Sequence, residues 1–113
     1  MGERVLVVDD ERHIVRLIQV NLERQGYDVT CAFDGRQAIG LLERQRFDRA
    51  VVDFMMPYLD GYEVLKWIRT HPETAGMWVA LMSAQADAMR EDASMEYRAD
   101  LYVSKPFDPS GIF

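Results

Sequence analysis

RAVVDFMMPYLDG, residues 49–61, contains a short apolar run that ends in an aspartate. A buried carboxylate is unfavourable unless a neighbouring group neutralises it, so Asp53 is either a helix cap or part of a functional site. Unbroken, β-branched apolar runs such as Ala50–Val52 are typical of strands that are covered on both faces of a parallel sheet. The stretch therefore predicts a buried parallel strand with a polar group at its carboxyl end.

Segments of similar apolar character recur along the chain. Two predict buried strands, VLVV (Val5–Val8) and WVALM (Trp78–Met82), and two are weaker, YDVTCA (Tyr27–Ala32) and LYV (Leu101–Val103). Amphipathic helical patterns lie between them at Ile14–Leu22, Arg36–Arg44, Tyr62–Arg69 and Asp87–Arg98. Gly26 marks the end of the first of these helices. Because strand and helix alternate throughout, the pattern predicts a doubly wound α/β sheet.

Length and composition restrict the class of protein. A chain of 113 residues is long enough for one domain with one core. Its net charge of −6 disfavours direct binding of nucleic acid, which requires a basic face. The single cysteine excludes an internal disulfide and fits a reducing compartment. No apolar run approaches the roughly 20 residues that cross a bilayer, and MGERVLVV has no secretion signal, so we expect a cytoplasmic domain.

Polar residues follow four of the predicted strands. They are Asp9 and Asp10 after the first, Asp53 after the third, Ser83 after the fourth, and Ser104 and Lys105 after the last. The carboxyl ends of parallel strands meet at one edge of the sheet, where open α/β folds bind their ligands. We therefore expect three carboxylates, a hydroxyl and an ammonium group to converge in one crevice.

Such a crevice has a definite chemical preference. Three adjacent carboxylates repel one another, and a hard divalent cation such as Mg²⁺ relieves the repulsion while keeping sites for water and a phosphate. Taken singly, each residue has an ordinary interpretation: Asp9 and Asp10 as helix caps, Ser83 as a turn residue and Lys105 as a solvated charge. Asp60-Gly61 is interpreted as a turn. The coincidence of all the strand ends favours a site.

Four motifs in order resemble one known family. VLVVDDE, VVDFMMPYLDG with its Asp-x-x-Met-Pro core, LMSA and LYVSKPF span Val5–Phe107 and are similar to the receiver domain of two-component response regulators. The resemblance implies a flavodoxin-like, five-stranded parallel sheet in the order 2-1-3-4-5, and a signalling domain over residues 1–113 rather than an enzyme. It also implies a sensor histidine kinase or a histidine phosphotransfer protein as partner.

The resemblance further implies a role for each residue at the strand ends. Asp53 is expected to accept the phosphoryl group and to bind Mg²⁺ or Mn²⁺ together with Asp9, Asp10 and the backbone carbonyl of Met55. Lys105 is expected to pair with the phosphoryl oxygens.

A second set of implied roles concerns the change of conformation. Ser83 is expected to move onto the phosphoryl group, and Tyr102 is expected to act as an aromatic switch that rotates inward. Lys105 precedes Pro106, where the family has a cis bond. An alternative interpretation, a receiver-fold interaction module that is not phosphorylated, usually lacks one of the acidic, hydroxyl or lysine positions, and none is lost here.

The chain departs from the family pattern in two places. Arg98 stands where the family usually has a glycine, which makes the conformation of residues 95–100 hard to predict. Asp108 and Pro109 predict the start of a helix, and because only four residues follow Pro109 we expect most of that last helix to be absent. Without that helix we expect the apolar sides of Val5, Val7 and the Leu101–Val103 strand, with part of the Ile14–Leu22 stripe, to be exposed. We therefore expect the domain to self-associate through that surface or to be marginally stable.

Overall fold

The computed structural model describes residues 2–57 and 59–105. The predictions of a cis bond before Pro106 and of a truncated last helix concern residues outside these ranges. Within the described residues the strands are β1 Arg4–Val8, β2 Asp28–Ala32, β3 Arg49–Asp53, β4 Trp78–Ser83 and β5 Leu101–Ser104. The helices are α1 Arg12–Arg24, α2 Gly35–Arg44, α3 Gly61–Thr70 and α4 Ala86–Glu91.

The five strands form one parallel sheet in the order β2-β1-β3-β4-β5, as predicted. Its register aligns the carboxyl ends of the strands: Val8 pairs with Val52, Asp53 with Met82, and Ser83 with Ser104. The central strands β1 and β3 are buried along almost their whole length, which explains their unbroken apolar sequences. The alignment brings the polar residues at the strand ends to one edge.

Each face of the sheet packs against helices. On one face, α2, α3 and α4 cover a core that includes Leu6, Val52 and Leu81. On the other, Val15, Ile18 and Leu22 of α1 form a core with Val5, Val7, Val51, Ala80 and Met82. The prediction that Val5 and Val7 would be exposed is wrong, because both are fully buried under α1. Leu17, which belongs to the apolar stripe predicted for α1, is 49% exposed.

Local signals in the sequence set where the helices begin and end. Asp34 and Asp60 act as N-caps of α2 and α3, where their side chains accept hydrogen bonds from the backbone N–H groups of Gln37 and Glu63. Helix α1 is followed by Gly26, which has a φ of 97° and confirms the predicted stop. The end of α1 and the starts of α2 and α3 follow directly from residue type.

Helix α4 is shorter than predicted. The apolar pattern predicts a helix over Asp87–Arg98, but the helix runs from Ala86 to Glu91. The Asp92 side chain accepts hydrogen bonds from the backbone N–H and the hydroxyl of Ser94, and local bonds of this kind compete with helix continuation. Burial explains the apolar pattern beyond the helix, because Met95, Tyr97 and Ala99 pack against the core without being helical.

None of the helices among the described residues has the length and apolar character needed to cross a membrane.

Candidate functional site

Three carboxylates meet where β1 and β3 end. Asp9 follows β1, Asp10 comes next, and Asp53 is the last residue of β3. One oxygen from each lies within 4.8 Å of the others. Asp9 is fully buried, Asp53 is 3% exposed, and Asp10 is exposed at the rim. The convergence predicted from the strand ends is therefore confirmed for these three residues.

Lys105 completes the cluster from the end of β5. Its Nζ lies 2.9 Å from Oδ1 of Asp53 and 3.0 Å from Oδ2 of Asp9. The backbone holds the residue in place, because the N–H of Lys105 donates to the carbonyl of Ser83 at the end of β4. The ammonium also lies 4.0 Å from Oε1 of Glu11, a neighbour that the sequence did not indicate. One cation thus bridges the two buried carboxylates.

The two aspartates after β1 occupy different environments. Both oxygens of Asp9 are engaged, because Oδ1 accepts from the backbone N–H of Glu11 at 3.0 Å and Oδ2 accepts from Lys105. Asp10 lies beside it with an exposed side chain. Asp9 is therefore oriented by the protein, whereas Asp10 is open to ligands from solvent.

Burial and neighbouring charges shift two pKa values at the site. Burial raises the pKa of Asp53 to about 6, with a further rise from the charge of Asp9 and opposing effects from Lys105 and from the backbone N–H of Met55. For Lys105, burial lowers the pKa, but hydrogen bonds to Asp53 and Asp9 and their charges outweigh it, so the pKa lies above its ordinary value. The cluster thus carries more negative charge than the single ammonium offsets.

The donor set fits a hard divalent cation. Mg²⁺ and Mn²⁺ prefer oxygen ligands, and Mg²⁺ is usually held by one or two carboxylates together with water and phosphate oxygens. Three carboxylate oxygens within 4.8 Å, facing one ammonium, provide both the ligands and the excess negative charge. The side chain of Met55 is 70% exposed, and the predicted contribution of its backbone carbonyl stays a prediction.

The two residues predicted to act in switching lie outside the carboxylate cluster. Ser83 ends β4 and is 5% exposed; its hydroxyl accepts from the backbone N–H of Gln85 at 3.0 Å. Tyr102 lies within β5, 5% exposed, in the core under α4. Its hydroxyl accepts from the backbone N–H of Ala99 at 2.9 Å. Ser83 is at the same sheet edge as the cluster, whereas Tyr102 pairs with Leu81, two residues before that edge.

Gly61 is a site residue that the sequence did not reveal. Its N–H donates to the carbonyl of Phe54, and a Cβ at this position would lie 2.2 Å from the carbonyl oxygen of Asp53. The backbone that carries Asp53 is thus packed directly against the first residue of α3. The Asp60-Gly61 pair is typical of a turn, and the only sequence signal for a close approach was the glycine itself.

Comparison with known proteins agrees with this geometry. The family model described as response regulator receiver domain matches residues 5–113. The alkaline phosphatase synthesis transcriptional regulatory protein PhoP of Bacillus subtilis (strain 168) is 41% identical over 112 residues, which are 99% of this chain and 46% of PhoP. The chain therefore spans less than half the length of that relative.

Solved structures share the fold over almost all of the chain. The chemotaxis response regulator CheY4 of Vibrio cholerae has a TM-score of 0.88 at 28% identity, with 96% of this chain and 91% of that chain covered. The receiver domain of the sensor histidine kinase PA1611 from Pseudomonas aeruginosa PAO1 has a TM-score of 0.85 at 32% identity, with 97% and 90% covered. That structure has a magnesium ion coordinated in its active site cleft. With the family model matched from the first strand onward, the chain belongs to the response regulator receiver domains of two-component signalling systems.

Proposed function

We propose that Asp53 accepts a phosphoryl group from the phosphohistidine of a sensor histidine kinase or a histidine phosphotransfer protein, in a reaction that depends on Mg²⁺ or Mn²⁺. The observation that supports this most strongly is the placement of a buried Asp53 carboxylate 2.9 Å from the Lys105 ammonium, with Asp9 and Asp10 beside it. The chain also belongs to a family of signalling domains that pair with histidine kinases, which supports a phosphohistidine as the donor.

The proposed reaction is a simple displacement. A carboxylate oxygen of Asp53 attacks phosphorus, and the bond between phosphorus and the imidazole nitrogen breaks. The imidazole leaves with the electron pair of that bond and takes up one proton from solvent, which gives a neutral histidine. The product is an acyl phosphate on Asp53. Phosphoryl transfer needs mainly positioning and charge stabilisation from the protein. The residues required are therefore the nucleophile and groups that offset the negative charge of the phosphoryl oxygens.

Each of the other residues has a role consistent with its environment. Lys105 is already within hydrogen-bond distance of Asp53 and would exchange that contact for one to a phosphoryl oxygen. Asp10, Asp53 and the carbonyl of Met55 would hold the cation, with Asp9, whose oxygens are engaged, acting directly or through water. When bound, the cation offsets charge that develops on the phosphoryl oxygens.

The acyl phosphate would then act on a two-state element of the domain. The phosphoryl group offers strong acceptors to the hydroxyl of Ser83, which in the present arrangement accepts from the backbone N–H of Gln85. Movement of Ser83 toward the phosphoryl group would be accompanied by a change at Tyr102. A coupling of about 1–3 kcal/mol between the two states is typical of such switches.

The remaining features of the proposed function concern partners and location. Residues 1–113 act as one receiver domain in the cytoplasm, with a histidine kinase or phosphotransfer protein upstream. The net charge of −6 disfavours direct contact with nucleic acid, so output proceeds through another protein or protein segment. Self-association stays a prediction, and Val5 and Val7 do not contribute to such a surface because both are buried.

The test is direct phosphorylation. The purified protein is incubated with acetyl phosphate and Mg²⁺, and its intact mass is measured. We expect the mass of one phosphoryl group to be gained, and expect an Asp53→Asn variant and an EDTA-treated sample to gain none. If the wild-type protein is folded but gains no mass, the domain is a receiver-fold interaction module that is not phosphorylated.

A further inference from the structure

The guanidinium of Arg98 binds the end of α4. It donates to the backbone carbonyls of Met89, Arg90 and Asp92, at distances of 3.3, 2.5 and 3.0 Å. Carbonyls at the end of a helix have no partner within the helix, and a cation there is also favoured by the helix dipole. One side chain therefore caps the carboxyl end of α4 from a position well outside the helix.

The same guanidinium contacts Tyr102. It lies over the aromatic ring, 5.1 Å from the ring centroid, which is within the range of cation–π attraction. The hydroxyl of Tyr102 accepts from the N–H of Ala99, the residue after Arg98. In addition, Arg90 of α4 donates to the carbonyl of Tyr102 at 2.7 Å. Arg98 therefore contacts both α4 and Tyr102, and Tyr102 in turn contacts α4 through Arg90.

The backbone of Arg98 is fixed independently of its side chain. Its carbonyl accepts from Nε of Arg69 at 3.0 Å. The Arg69 side chain is 16% exposed, bonds the carbonyls of Ala75 and Met77, and pairs with Asp100 at 3.0 Å. The backbone of Arg98 is therefore hydrogen-bonded to a residue of α3, and its side chain extends from there to α4.

Helix α4 needs such support. It has six residues, of which Ala86 and Met89 are buried, and so short a helix is not stable by its own hydrogen bonds. Its position against β5 must depend on side-chain contacts from outside, and Arg98 supplies several of these at one point.

We propose that Arg98 is a positioning residue that couples the last turn of α4 to the ring of Tyr102, so that the two change arrangement together. The part of this inference that concerns signalling rests on the proposed phosphorylation of Asp53. A phosphoryl group that displaces Tyr102 must also break or rebuild the contacts of Arg98 with α4, so Arg98 sets part of the free-energy difference between the two states.

Hydrogen exchange of the unphosphorylated protein tests the coupling without reference to phosphorylation. In Arg98→Ala we expect the amides of residues 89–92 to exchange at least about tenfold faster, while those of α1, α2 and α3 keep their rates. Arg98→Lys keeps the positive charge but loses the planar guanidinium with its several N–H donors, so we expect an intermediate rate of amide exchange. The control is Arg46→Ala, which removes an exposed arginine in the loop before β3. Unchanged exchange in α4, or a uniform increase over the whole chain, would overturn the proposal.

A second measurement reports on Tyr102 itself. In protein labelled with ¹³C at tyrosine, the ring signals of Tyr102, assigned with Tyr102→Phe, should shift in Arg98→Ala and less in Arg98→Lys. After acetyl phosphate and Mg²⁺, the wild type should change exchange in α4 and the Tyr102 signals together, whereas Arg98→Ala should lose that correlation. If the wild type gains no phosphoryl mass, the proposed function fails, and the unphosphorylated measurements still decide the role of Arg98.

Discussion

Nζ of Lys105 lies 2.9 Å from Oδ1 of Asp53 and joins the end of the edge strand β5 to the end of the central strand β3. Because Lys105 also contacts Asp9, one ammonium compensates two buried carboxylates. A third carboxylate, that of Asp10, lies beside them at the rim. The site is therefore held together by a charge balance that is incomplete without a further cation, and this has measurable consequences for stability.

Removing Lys105 should destabilise the domain in a pH-dependent way. In Lys105→Gln, Asp9 and Asp53 lose their common partner, and we expect the free energy of unfolding to fall by about 2 kcal/mol at pH 8. At pH 5 the loss should be smaller, because Asp53 can take up a proton and the repulsion disappears. Urea denaturation at both pH values measures the difference. Lys66→Gln is the control, since Lys66 is exposed on α3, and an equal loss in both variants would contradict the prediction.

The raised pKa of Asp53 predicts the stability of Asp53→Asn. A carboxyl whose pKa is about 6 in the folded protein and about 3.9 when unfolded binds its proton more tightly in the folded state. Its contribution to stability is therefore complete below about pH 4 and is lost as the pH rises through 6.

Because asparagine does not titrate, the Asp53→Asn variant should gain stability relative to wild type across that window. We expect a gain of about 2–3 kcal/mol at pH 8, relative to the difference measured at pH 4. Thermal or urea unfolding of both proteins in metal-free buffer from pH 4 to 8 provides the comparison. A difference that stays constant over this range, or that grows toward acid pH, would show that the pKa of Asp53 is not raised.

Magnesium should stabilise the domain through the same carboxylates. A ligand that binds only the folded state adds RT ln(1 + [L]/Kd), so at ten times Kd the gain is about 1.4 kcal/mol, or a rise of about 6 °C in Tm. We expect Asp10→Asn to lose most of this shift, because Asp10 is the exposed carboxylate of the cluster. Calorimetry with MgCl₂ against EDTA gives the shift. Asp28→Asn, an exposed change at the start of β2, should retain it; equal shifts in both variants would contradict the assignment.

The sheet and the carboxylate cluster were predictable from the sequence for a simple physical reason. Apolar runs identify buried strands, and parallel strands bring the residues at their carboxyl ends to one edge of the sheet. The positions of Asp53 and Lys105 after two such runs were therefore enough to predict that they lie together. The stop at Gly26 is a local effect of residue type and was predicted. Asp60 was interpreted as part of a turn, whereas in the structure its side chain caps α3.

Features that the apolar pattern does not encode could not be predicted. The end of α4 at Glu91 follows from a bond between Asp92 and Ser94 that competes with a periodic apolar pattern. The contacts of Arg98 are with backbone carbonyls of α4, and residue types alone do not indicate which carbonyls a side chain will reach. The burial of Val5 and Val7 follows from how completely α1 covers β1. In each case packing or a hydrogen bond that the apolar pattern does not encode determined the result.

The close packing of Gly61 against Asp53 allows a test of whether α3 holds the site in position. A Cβ at this position would lie 2.2 Å from the carbonyl oxygen of Asp53 and 2.8 Å from Cα of Phe54. Both neighbours are backbone atoms of the β3 end, so they cannot rotate away, and either α3 or the segment that carries Asp53 must move. Overpacking of this kind costs about 1–3 kcal/mol.

We therefore expect Gly61→Ala to lower the free energy of unfolding by about 2 kcal/mol and to reduce the Mg²⁺-induced rise in Tm, because the carbonyl and side chain of Asp53 belong to the same displaced residue. Gly40→Ala is the matched control. Gly40 lies inside α2, where the nearest atom to an added Cβ is the end of the flexible Arg44 side chain at 3.8 Å, so alanine should stabilise the helix by about 0.5–1 kcal/mol. Urea denaturation and Mg²⁺ titration of both variants provide the comparison. If Gly61→Ala matched Gly40→Ala in stability and in its response to Mg²⁺, the close approach of α3 to Asp53 would not constrain the site.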